Sequence, residues 1–334
     1  MRIMDYEKYL KTVPQKMHFR GLGHSRRDDK KHGSTRDKIY AGKTYKTYAY
    51  WSDRFARWIQ ERDLPVKNST DLKTYSVEFL DEIRQEESQK GKPYSPSTIK
   101  TIQAAVNKVC GIKPGDKYYF SDAPQRHRSE ITRSRNPESN KKLERKWGSM
   151  MDAFRGIGCR RNVAEHMQGR DLYYRSRVYT EFRELMEKET LTKDERALLR
   201  ALKETIEYFP CDDYFVLHRK DKGGRWRIAP IIGPHKDEIV EMFKQTPDTE
   251  LVWPSIPKNM DIHALRADYA NRMYRIYARP VKTITNKREI YHCRKDKKGM
   301  KLDKPAMDIA AIALGHGSGR TVFADHYLRD AMEA

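Results

Sequence analysis

The stretch His263-Ala264-Leu265-Arg266 opens an apolar-periodic run that reaches about residue 278. Its spacing predicts a long helix, and the three-residue offset puts His263 and Arg266 on one helix face. Downstream, Leu314-Gly315-His316 closes another helical run, and His326-Tyr327-Leu328 follows, with Tyr327 eleven residues beyond His316. Upstream, apolar runs at 214–218 and 226–231 flank Lys222-Gly223-Gly224. A Gly-Gly pair between two such runs predicts a β-hairpin. Further upstream still, Gly158-Cys159-Arg160-Arg161 sets a glycine turn just before an arginine near a helix start. Five polar signals therefore fall in one order between about residues 150 and 330.

Around them the second half of the chain alternates. Helical patterns cover 143–154, 162–168 and 178–208, residues 281–301 form a hairpin-like insertion around Lys298-Gly299, and helices resume near 305 and 320. The first half is helical. Tyr48, Trp51, Phe55, Trp58 and Ile59 recur at spacings of three and four, an aromatic stripe that reads as core. Leu72, Tyr75, Phe79, Leu80 and Ile83 repeat the pattern, and so do Ile99, Ile102, Val106 and Val109 behind Ser95-Pro96, a helix start with a capping serine and a first-turn proline. Between 121 and 142 a stretch rich in Arg, Ser, Pro and Asn has no apolar period and reads as a basic linker. The expected organisation is a basic N-terminal arm over 1–37, a helical domain over 38–120, the linker, and a mainly helical domain with a small β-sheet over 143–334. The fold class is thus multidomain, α followed by mixed α/β.

Lys and Arg number 68 against 47 Asp and Glu, a formal charge of +21 that calls for a polyanionic partner. Such a surface binds nucleic acid with a steep salt dependence. No apolar run is long enough to span a bilayer, and the first residues lack the apolar centre of a signal peptide, so a cytoplasmic protein is expected. The four cysteines, Cys110, Cys159, Cys211 and Cys293, are far apart and form no Cys-x-x-Cys pair, which predicts reduced thiols with no zinc site or disulfide framework.

The ordered set resembles the catalytic domain of the tyrosine recombinases, the integrases of phages and other mobile elements. That family's boxes read T-G-x-R, a hairpin lysine, H-x-L-R, L-G-H and a terminal tyrosine. Each has a counterpart here, and the helical region before them suits the family's core-binding domain. The first box departs from the pattern, with Gly156-Ile157 before the glycine and Val163 where an acidic residue often follows.

The resemblance implies a C-shaped clamp on duplex DNA and strand exchange between two specific sites by a homo-tetramer, with an accessory directionality or DNA-bending factor as a further partner. No cofactor or metal is implied. Arg160 and Arg266 would hold the non-bridging phosphate oxygens with bidentate, permanently charged donors. Preorganised donors of this kind are each worth on the order of 10²–10³ in rate. His316 would add a hydrogen bond, and His263 would serve as base or phosphate ligand. Tyr327 would attack phosphorus to give a 3′-phosphotyrosine, which conserves the bond energy, and Lys222 would protonate the leaving 5′ oxygen.

Arg161 competes with Arg160, and Lys220, Arg219 and Arg225 compete with Lys222. Tyr269, Tyr274 and Tyr277 are poorer nucleophile candidates than Tyr327 because they lie within the H-x-L-R helix. A type IB topoisomerase and a DNA-binding protein without activity are the rival readings.

Overall fold

The computed structural model describes residues 4–88, 91–122, 124, 140–294, 297–319, 321–328 and 331–332. The chain is mostly helical with small antiparallel sheets and divides into two compact units, Met1–His127 and Arg128–Ala334. Most of the expected linker, 121–142, lies outside the described residues.

The first unit contains α1 (Tyr6–Gly21), α2 (Arg26–Lys31), α3 (Gly42–Glu61), α4 (Ser69–Gln85) and α5 (Pro96–Cys110). The aromatic stripe of α3 is core, as its spacing predicts: Phe55 lies 5.1 Å and Trp58 5.7 Å from the Phe79 ring of α4. Ser95 caps α5 through its side chain, with Pro96 as the first helical residue, and Gly111 ends the helix in the left-handed conformation. The basic arm expected over 1–37 differs from what forms. Its described residues fold as α1 and α2, Leu10 is fully buried, and Ser52 Oγ donates to the Leu10 carbonyl at 2.6 Å. The reason is visible in α1, where Tyr6, Tyr9, Leu10 and Val13 pack on the core from one face that the intervening lysines mask in composition.

The second unit begins with α6 (Lys141–Ile157) and α7 (Arg161–Ala164). A three-stranded antiparallel sheet follows, in the order β1 (Leu172–Tyr174), β2 (Tyr214–Asp221), β3 (Arg225–Pro230). The helices α8 (Arg175–Glu187) and α9 (Lys193–Tyr208) connect β1 to β2. The helical pattern expected over 178–208 forms as two helices, because Thr192 and Glu195 make a capping box that starts α9 afresh. Neither β1 nor α10 (Lys236–Gln245) was expected from sequence.

The long α11 (Ile262–Tyr277) is followed by the two-stranded β4 (Ile290–His292) and β5 (Lys301–Asp303), where the insertion was expected, and then by α12 (Lys304–Ala313) and α13 (Val322–Tyr327). One core joins the sheet to α9, α11, α12 and α13, and a second gathers α6, α7 and α10 around Trp253. No helix among the described residues is long and apolar enough to cross a membrane.

Candidate active site

The site is built on the end of α6. Gly158 closes that helix at φ +58°, and a Cβ there would stand 2.3 Å from the Tyr269 ring of α11, so only glycine fits. The turn delivers Arg160 to the position just before α7 and leaves the Gly158 carbonyl facing inward. Two buried arginines donate to that carbonyl, Arg266 through Nη1 and Arg227 through Nη2, the latter at 2.9 Å.

The same arginines hold the end of α12. Terminal helix carbonyls lack intrahelical partners and carry the negative end of the helix dipole. Arg227 Nη1 donates to the Ala313 carbonyl, Arg266 Nη2 to that of Leu314, and Arg225 Nη1 to that of Gly315 at 3.4 Å. Gly315 at φ +73° completes the helix stop, with its N–H on the Ile312 carbonyl and the His316 N–H on the Ala311 carbonyl, both at 2.8 Å. This paired closure fixes the direction of His316. Its ring lies 5.5 Å from that of Tyr327 and 5.6 Å from that of Phe323. Tyr327 is half-buried, its ring stacks on Phe323 at 5.3 Å, and its carbonyl accepts from Asn271 Nδ2 at 2.8 Å. The Arg266 guanidinium lies 6.0 Å from the centre of the Tyr327 ring.

The β2–β3 hairpin supplies the negative charge. Its register breaks between His218 and Asp221, and Lys220 takes φ +46°, a left-handed conformation that is strained for a residue with a side chain. The irregularity turns Asp221 inward, where it is 4% exposed. Asp221 Oδ1 pairs with Arg160 Nη1 and accepts the Lys222 N–H at 2.6 Å, while Oδ2 lies 3.4 Å from Arg227 Nε. Burial alone would raise this carboxyl's pKa, but Arg227, Arg160 and Arg266 outweigh it and hold the group well below the usual carboxylate range. Burial, followed by the neighbouring Arg160, lowers the Arg266 guanidinium, and Tyr327 works in the opposite direction. Three guanidinium groups act on the Asp221 carboxylate, so this part of the site carries an excess of positive charge.

Arg160, Arg266, His316 and Tyr327 thus belong to one connected cluster, linked through Asp221, Arg227 and the Gly158 carbonyl. Lys222 sits at its edge, exposed at the hairpin tip and joined to it by its backbone N–H. His263 lies one turn before Arg266 on α11 and is exposed, whereas Arg266 is fully buried, so the shared helix face expected from their spacing runs from the surface into the interior.

The competing residues have other partners. Arg161 donates to the Pro257 and Met260 carbonyls at 2.9 and 2.8 Å, bracing the loop before α11. Arg219 pairs with Asp171, Lys220 with Asp194 and Arg225 with Glu204, while Lys222 has no ion pair among the described residues. Tyr269 donates to the Pro230 carbonyl and Tyr277 to Asp212, and the Tyr274 hydroxyl accepts from the Asp303 N–H.

Sequence reading missed Arg227, Asp221 and His218. The available signal was register: Arg227 stands directly opposite His218, next to the buried apolar pair Leu217 and Ile228, so two polar side chains had to meet inside. His218 Nδ1 accepts from Arg227 Nη2 at 2.9 Å, which puts the ring proton on Nε2. Burial first, and the Arg227 charge second, keep this imidazole neutral well below its usual range. Among the described residues no group of His, Cys, Asp and Glu is arranged to hold a metal ion.

Compared with protein-family models, with curated proteins and with solved structures, the chain matches none.

Proposed function

We propose that the protein is a tyrosine recombinase: a site-specific enzyme that cleaves and rejoins DNA strands through Tyr327 to integrate or excise a mobile element. The observation that carries this reading is Arg266. It is fully buried beside Tyr327 and His316, and its Nε has no hydrogen-bond partner among the described residues. A buried donor left unmade costs about 1–3 kcal/mol. A charged donor held at that cost next to a phenol suits an anionic acceptor, and a phosphodiester oxygen is such an acceptor. Arg160, whose side chain remains 19% exposed while paired with Asp221, supplies a second guanidinium at the rim.

In this reading the Tyr327 oxygen attacks phosphorus and gives up its proton to a base, His263 by the family resemblance. The phosphorus–5′-oxygen bond breaks, and the leaving oxygen takes a proton from Lys222. The 3′-phosphotyrosine ester then rejoins to a new 5′-hydroxyl by the reverse steps, without ATP or a metal ion. The partners are double-stranded DNA and three further copies in a synaptic tetramer, together with an accessory directionality factor. The cytoplasm is the proposed compartment, and the helical first unit is proposed as the core-binding domain.

The test uses the DNA that flanks the gene on its element. Two such sites on one plasmid, incubated with the protein in EDTA, should yield recombinant circles, and an unrelated supercoiled plasmid should remain supercoiled. Relaxation of the unrelated plasmid would favour the topoisomerase. Binding without either product would leave only a DNA-binding protein.

A further inference from the structure

Asp221 was not among the expected site residues, yet among the described residues it is the carboxylate that pairs with both Arg160 and Arg227. Its position is built rather than incidental. An uninterrupted β2–β3 ladder alternates its side chains between faces, and the register shift with Lys220 at φ +46° re-aims the strand end so that Asp221 enters the interior. The hairpin then turns on Gly223 and Gly224, at φ +82° and +74°, with Lys222 exposed at its tip.

One oxygen of Asp221 has two partners with different proposed tasks. Oδ1 accepts the backbone N–H of Lys222 at 2.6 Å and pairs with Arg160 Nη1. The backbone of the proposed general acid and the side chain of a proposed phosphate ligand are therefore tied to a single atom. We propose that Asp221 is a positioning residue that couples the two, holding the Lys222 hairpin tip over the leaving oxygen only while Arg160 is in place for the phosphate. This inference rests on the recombinase reading. It adds a coupling that the separate roles of Arg160 and Lys222 do not contain.

A carboxylate suits this task better than a neutral acceptor. It is held ionised by the surrounding arginines, so it offers full charge to Arg160 and still has a lone pair for the Lys222 N–H. Replacing it by Asn keeps the size and one acceptor oxygen but loses the charge, and an amide nitrogen facing Arg160 would present donor to donor.

The experiment measures single-turnover formation of the covalent protein–DNA adduct on a nicked duplex from the element end. Wild type, Asp221→Asn, Lys222→Ala and the double variant are compared. Each is run on normal DNA and on DNA whose scissile 5′ oxygen is replaced by sulfur, a leaving group that needs no proton. On normal DNA, Asp221→Asn should be slower at saturating DNA by roughly tenfold or more, within the roughly 10²–10⁴ that general acid catalysis supplies. Its affinity for DNA should stay within about twofold, since surface phosphate contacts dominate binding. On the sulfur substrate most of the loss should disappear. The double variant should be no slower than Lys222→Ala alone, because coupled residues are not additive.

Should Asp221→Asn fail to fold, Asp221→Glu keeps the charge and moves it by one methylene. It should show the same dependence on the leaving group. A wild-type rate for Asp221→Asn, an equal defect on both substrates, or additivity with Lys222→Ala would overturn the coupling while leaving the recombinase reading intact. If the wild type gives no adduct on either substrate, the recombinase reading itself fails and the coupling falls with it.

Discussion

Arg227 shows how much of the site depends on a residue with no assigned chemistry. Its guanidinium reaches Gly158, Ala313, His218 and Asp221, joining the end of α6, the end of α12 and both strands of the hairpin. Truncation would take one partner from Asp221 and from the Gly158 carbonyl, and would remove the arginine donor from the Ala313 carbonyl and from His218 Nδ1, all in the interior. Removing one member of a buried ion pair typically costs about 3–5 kcal/mol, so Arg227→Ala should lower unfolding stability by about that amount in urea titration. A loss below about 1 kcal/mol, the level of a surface pair, would show that the interior compensates. His218 gives a prediction in pH. Its folded pKa is depressed, so the unfolded chain binds a proton that the folded chain refuses. The stability this provides is complete above the unfolded pKa of about 6.5 and is lost as pH falls below it, at a slope approaching 1.4 kcal/mol per unit. Urea midpoints of wild type and His218→Gln between pH 8 and 5 should therefore converge as pH drops. Parallel curves would mean that His218 takes up its proton in the folded state.

Helix ends and one hairpin, more than helix bodies, make the site. The bodies were legible in sequence because apolar spacing reports burial directly, as the Trp51–Ile59 stripe and the Ile99–Val109 face illustrate. So was the order of polar signals, since Gly158, Gly315 and the Gly223–Gly224 pair each sit where the backbone needs a positive φ. Legibility fell where long-range pairing decides. β1 is a three-residue strand that exists only by pairing with β2, and Asp221 faces inward only because of a register shift that no local pattern announces. The basic composition of residues 1–37 likewise hid the apolar face of α1. Gly158→Ala tests the element-level account. A methyl group 2.3 Å from the Tyr269 ring, at φ +58°, must shift α6 against α11. Overpacking of this kind costs about 1–3 kcal/mol, with left-handed strain in addition. The variant should melt lower and form adduct more slowly, whereas Gly299→Ala, also at positive φ but in open space, should leave cleavage unchanged. Equal cleavage by Gly158→Ala and the wild type would detach the α6 turn from the site.

On the scale of the whole molecule the charge is shared. Residues 1–127 carry 26 Lys and Arg against 16 Asp and Glu, and residues 128–334 carry 42 against 31, so both units contribute a basic surface. If both engage the phosphate backbone, DNA affinity should fall by roughly 10³ or more between 50 and 200 mM salt, as for proteins making many phosphate contacts. A filter-binding series across that range checks this, and an affinity independent of salt would contradict a two-unit grip. The central claim is narrower: a covalent bond forms between DNA and one named tyrosine. The direct measurement incubates wild type and Tyr327→Phe with labelled element-end DNA, nicked beside the cleavage position, in EDTA, and separates the products on a denaturing gel. The account predicts a protein–DNA adduct with the wild type and none with Tyr327→Phe, while both shift the DNA equally on a native gel. An adduct of equal yield from both proteins would contradict it, because the nucleophile would then be a different residue.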